Sequence, residues 1–132
     1  MSAIFMTNTT AASVLAEGTI PLTTIQRRKG CILTNSSTGI QILKPGYYLV
    51  EGTITFTAPA AGDVVVSLQK GGVNVPGIIG SSTITTATTE IRTIPISGII
   101  RVLCNETAII TLVNTGVAIT TSNVSLSVVS ID

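Results

Sequence analysis

The sequence predicts an all-β domain built from about ten short strands in two layers, a sandwich or barrel. Three observations lead there. Twenty-two of 132 residues are threonine, and valine and isoleucine are also abundant. These β-branched side chains are stiff at χ1 and fit a pleated surface better than a helix. Gly, Pro, Asn and Ser clusters interrupt the chain at short intervals, as turns between strands require. No window carries a sustained 3.6-residue apolar period beyond a weak TAASVLAEG at 10–18.

Taken in order, strands are expected over roughly 14–20, 30–34, 39–43, 46–57, 63–70, 73–79, 83–94, 97–104, 107–114 and 122–131. KPG (44–46) opens the longest of these with a fixed φ followed by a glycine. In this strand Tyr48, Val50, Gly52, Ile54 and Phe56 share one face, and Tyr47, Leu49, Glu51, Thr53 and Thr55 share the other. The first row is apolar or small and belongs in a core. The second would leave Tyr47 and Leu49 in water in a monomer. APAAGD (58–63) is read as the next hairpin. DVVVSLQK alternates, with Val64, Val66 and Leu68 opposite Val65, Ser67 and Gln69. KGGVNVPG (70–77) supplies a Gly-Gly turn. SSTITTATTE (81–90) alternates well enough for an exposed strand, and CNET (104–107) is a polar connection. In NVSLSVVSI, Val124, Leu126 and Val128 oppose Ser125 and Ser127.

The totals narrow the function. A chain of 132 residues is one domain on size grounds. It is 45% hydrophobic and only 10% charged, with mean hydropathy +0.64, against about 25% charged residues in an ordinary domain. No run of 18 apolar residues exists, so no membrane span is expected. Apolar surface in excess of one core points to burial between subunits. Net charge is +1, too little to attract nucleic acid, and with few aromatics a stacking platform for single strands is not expected. The N-terminus MSAIFMTNTT has neither a basic stretch nor a long apolar one. It does not read as a secretory signal. Synthesis in a cytoplasm, with any exit by assembly or lysis, is the expectation.

Chemistry is sparse. Histidine is absent, which removes Ser-His-Asp and Cys-His nucleophile systems. Cys31 and Cys104 are too few and too far apart in sequence for a zinc site. They read as two buried thiols, with an intrachain or intersubunit disulfide as the alternatives. No spacing among Glu17, Glu51, Asp63, Glu90, Glu106 and Asp132 suggests a facing catalytic pair. The glycines match no phosphate-binding fingerprint. No enzyme, cofactor or metal is expected. Sequons at Asn8, Asn35, Asn105 and Asn123 are what chance gives in a Ser/Thr-rich chain.

Two features could bind something. Arg27, Arg28 and Lys29 form the one charge cluster. Its bland reading is a solvated loop. Its functional reading is a contact for an anionic partner: an acidic protein surface, or a charged cell-surface polymer. One arginine could instead pair across a subunit boundary with Glu17, Glu51 or Glu90. Ile4, Phe5 and Met6 precede the first expected strand. Either they are loosely packed, or residues 1–13 form a docking segment that joins neighbours, with the folded domain spanning 14–132.

The runs PGYYLVEGTITF, VVVSLQKGGVNVPG and NVSLSVVSI, with QRRKG and LTNSSTGIQI upstream, resemble the C1q/TNF-like jelly-roll superfamily, most closely its small bacterial and phage members. The resemblance covers roughly residues 14–131. Gly71-Gly72 stands where Asn-Gly is usual, and no acidic cluster matches the calcium sites of some members. The resemblance implies a ten-stranded jelly-roll sandwich that forms homotrimers. It implies partners in virions, spore coats or fibres. The expected function is a non-enzymatic homotrimeric subunit that builds or decorates a phage virion or a bacterial or spore surface fibre, with Tyr47 and Leu49 at the trimer interface. The alternative is a receptor- or glycan-binding head of a fibre, disfavoured by the absence of tryptophan. A soluble ligand of a host receptor is a third reading.

Overall fold

A computed structural model describes residues 2–37, 39–106 and 108–131. Twelve strands are present among them: β1 (Ala3–Asn8), β2 (Ala12–Val14), β3 (Gly18–Ile20), β4 (Thr24–Lys29), β5 (Leu33–Asn35), β6 (Ile40–Ile42), β7 (Gly46–Thr57), β8 (Gly62–Lys70), β9 (Val73–Ile84), β10 (Arg92–Val102), β11 (Ala108–Asn114) and β12 (Ile119–Ile131). Sheet I runs β10-β7-β12-β1-β4, with β2 also on β12. Sheet II runs β5-β6-β11-β8-β9, with β3 also on β11. Every pair is antiparallel.

The two sheets face each other across one core. From sheet I come Tyr48, Val50, Ile54 and Phe56 of β7, and Val124, Leu126 and Val128 of β12. Val64, Val66 and Leu68 of β8 meet them, with Ile110 and Leu112 of β11. The expected alternation of β7, β8 and β12 is therefore observed, because period-two sequences have only one way to bury an apolar row. The Tyr48 hydroxyl reaches the end of the core and donates to the Lys44 carbonyl at 2.6 Å.

From β7 onward the chain switches sheets after every strand except β8, which forms a hairpin with β9. That hairpin turns on Gly71 and Gly72, at φ 61° and 86°. Two successive positive φ values suit the tight turn that matches strand twist, and glycine adopts them without strain. APAAGD is not a hairpin: it carries the chain from sheet I to sheet II, with Ala58 buried beneath the crossing. Expected strand 83–94 is instead the end of β9, a turn, and the start of β10. Thr88 in that turn has φ 67°, a conformation no strand contains. β9 runs on to Ile84, with a register shift that leaves Val75–Ile78 between the pairs Gln69↔Asn74 and Ser67↔Ile79.

β9 and β10 lie at the same side of the sandwich, and their backbones come close. A Cβ on Gly80 would sit 2.4 Å from Ile94 Cγ2, and one on Gly98 would sit 2.5 Å from Ile78 Cγ1. Glycine at both positions lets the two sheet edges close over the core.

The N-terminal segment is the main correction to the sequence reading. Residues 3–8 form β1, between β12 and β4 in sheet I. The Ser2 amide donates to Ser130 Oγ at 2.8 Å, and the Ser130 amide donates to the Ser2 carbonyl at 2.8 Å. Ile4 and Met6 are 1% exposed and belong to this chain's own core. The boundary expected at residue 13 does not separate a connector from a domain. β1 escaped notice because its apolar residues do not alternate with polar ones, and β4 because five of its six residues are polar or charged.

Candidate functional site

The outward face of sheet I is the surface on which chemistry and exposure coincide. Its side chains stand in rungs fixed by the strand register. At one end Arg101, Tyr47 and Ile131 are aligned. Next come Ile99, Leu49, Val129, Ala3 and Lys29, on β10, β7, β12, β1 and β4. The third rung is Ser97, Glu51, Ser127, Phe5 and Arg27. The fourth is Pro95, Thr53, Ser125, Thr7 and Thr24. Beyond it Thr93, Thr55 and Asn123 align.

The face is therefore graded. Its polar end is self-satisfied: Thr53 and Ser125 hydroxyls lie 2.9 Å apart, and those of Thr55 and Thr93 lie 3.0 Å apart. Its other end is apolar and open to solvent, with Ile99 62%, Tyr47 52%, Ile131 44% and Phe5 36% exposed. Leu49 and Val129 are half-buried between them. The Arg101 guanidinium stands 5.9 Å from the centroid of the Tyr47 ring, a geometry that suits a cation over an aromatic face. A contiguous apolar area on a chain with so few charges is the kind of surface that another molecule covers.

Expected site residues divide as follows. Tyr47 and Leu49 stand on this face, in adjoining rungs. Of the three expected docking residues, Ile4 and Met6 point into the core and have no surface to offer a neighbour, while Phe5 points outward onto the same face. Arg27, Arg28 and Lys29 are all exposed on the edge strand β4. Charged side chains on an exposed sheet edge discourage uncontrolled strand pairing. The Arg27 side chain donates to the Gln26 carbonyl at 2.8 Å. With Ala3, Phe5 and Val129, the three basic residues border a depression of about 330 Å³. The rungs were invisible in the sequence because strand order, not spacing along the chain, brings residues 5, 51, 97 and 127 together.

Outside this face some charges are tied locally. Lys70 pairs with Glu106 at 3.0 Å, and Arg92 with Glu90 at 3.2 Å. The Arg92 hydrogen bond, helped by Thr85, holds the Glu90 carboxyl below its ordinary pKa. The Leu103 amide and then Lys70 do the same for Glu106. Among the described residues, no group of three or more His, Cys, Asp or Glu could hold a metal ion. Cys31 and Cys104 are free and exposed, in turns. The buried-thiol expectation fails because both fall just outside strands, where no core row continues.

No family model matches the sequence, and no curated protein matches it. Solved structures do match. Eiger TNF from S. frugiperda aligns over 100% of this chain and 92% of its own, with TM-score 0.76 and 13% identity. The globular domain of zebrafish complement 1qA aligns over 100% and 98%, with TM-score 0.71 and 8% identity. The vertex protein P5 of the phage PRD1 aligns over 99% and 97%, with TM-score 0.62 and 18% identity. With its two antiparallel sheets and crossing connections, this chain has the C1q/TNF-like jelly-roll fold.

Proposed function

We propose that the protein is a non-enzymatic homotrimeric structural subunit that builds or decorates a virion or a microbial surface fibre. The observation that carries this reading is the open apolar end of sheet I: Tyr47, Leu49, Ile99, Val129 and Ile131 share two adjoining rungs. Covering such a surface drives permanent association, and obligate interfaces are the more hydrophobic ones. The low charge content supports the same reading, since a monomer of this composition would have few charged groups to keep it dispersed. A cyclic assembly that turns the three apolar ends toward one axis buries all of them at once. Likeness in fold to a phage vertex protein supports a place in a particle.

N-terminal docking now has a narrower form. Phe5 alone of its three apolar residues faces outward, so β1 contributes to assembly as part of the face rather than as a free peptide. Electron microscopy of the purified protein tests the proposal. Uniform three-lobed particles, or filaments built from them, are expected. A field of single compact domains at micromolar concentration would overturn it.

A further inference from the structure

We infer that the trimer is keyed by an ion pair between subunits, with the Glu51 carboxylate of one copy against the Arg27 guanidinium of the next; this rests on the homotrimer reading above. Among the described residues, Glu51 is the only acidic one in the outward rungs of sheet I, and it is exposed. Among the described residues neither Glu51 nor Arg27 takes part in an ion pair within the chain. They share a rung but are separated by β12 and β1. Three strand spacings are about 14 Å, too far for a contact inside one copy.

The two halves of the face are complementary. The β10 side offers Ile99, a small Ser97 and the Glu51 carboxylate. The β4 side offers the depression bordered by Ala3, Phe5 and Val129, with Arg27 and Lys29 at its rim. A second copy seated by its β10 side places Ile99 against the apolar floor and Glu51 against Arg27. A rotation axis along the strands preserves height, so residues of one rung meet residues of the same rung. Arg101 lies two rungs from Glu51, about 13 Å along the strand, and stands over Tyr47. It is out of reach for the same pairing. The contact is head-to-tail, so three copies close a ring with three identical pairs.

Charge exchange tests the inference. Sedimentation of the full chain is compared for wild type, Glu51→Arg, Arg27→Glu and the double variant, with circular dichroism confirming each fold. Each single reversal places like charges together three times per trimer. It is expected to raise the concentration at half-dissociation at least tenfold, while the double variant returns toward wild type. The milder changes Glu51→Gln and Arg27→Gln, expected to weaken association without repulsion, serve if a reversal fails to fold. Trimers in wild type with no loss in the single variants, or no recovery in the double, would overturn the ion pair and leave the homotrimer standing. A monomeric wild type would overturn both.

Discussion

Replacing Tyr47 with serine should weaken trimerisation far more than folding, and replacing Tyr48 with serine should do the reverse. The two residues are chain neighbours with opposite surroundings. Tyr47 is 52% exposed, and Tyr48 is 1% exposed. A half-exposed tyrosine offers roughly 100 Å² for a partner to cover, worth about 2.5 kcal/mol at ~25 cal/mol per Å². Three copies change the trimer's free energy by about 7.5 kcal/mol, or roughly five decades in the association constant. The concentration at half-dissociation scales as the square root, so it should rise by about two to three decades. The free monomer of Tyr47→Ser loses only the part of the ring already packed, and its melting temperature should move by a few degrees. Tyr48→Ser instead empties the core beneath Lys44 and removes the 2.6 Å hydrogen bond. Losing a large buried aromatic costs about 3–5 kcal/mol of folding stability. Sedimentation velocity across a dilution series, paired with thermal unfolding in dilute solution, separates the two effects. Equal effects of both changes on both properties would refute the assignment of faces.

Other outcomes follow from the same geometry. Deleting residues 1–10 removes β1 from between β12 and β4, so thermal unfolding should show loss of the folded domain rather than a folded domain that fails to dock. Gly80→Ala should cost about 1–3 kcal/mol in chemical denaturation, because its Cβ would meet Ile94 at 2.4 Å; an unchanged midpoint would show that the sheet edges are looser than described. Glu90 and Glu106 have lowered folded-state pKa values. Their local stabilisation is complete above the ordinary glutamate pKa and is lost as pH falls through the folded value. Carboxyl NMR titration should give both midpoints below the ordinary glutamate value, with hydrogen exchange at Thr85 and Leu103 rising in acid. Cys31 and Cys104 should both react with a maleimide in the native protein, since both are free and exposed; protection of either would show that assembly covers its turn.

The parts of the fold that the sequence reveals are those where one face is core and the other is water. β7, β8 and β12 alternate cleanly, and their buried rows fall where the pattern places them. The period fails where both faces of a strand carry apolar residues. In β1, Ile4 and Met6 face the core while Phe5 faces the open side, so the run reads as a loose apolar tail. It also fails at an edge strand such as β4, whose backbone pairing with β1 is the ordering element while all six residues remain exposed. Tyr47 and Leu49 could be placed on an outward face from alternation alone. Their company on that face could not, because Ile99 and Val129 reach it through strand order across more than forty residues of chain.

The central claim is that the open end of sheet I is covered by other copies of the chain. Sedimentation equilibrium of the purified protein at micromolar concentration measures it directly. The account predicts a single species of three times 13.5 kDa. A species of 13.5 kDa at that concentration would contradict it.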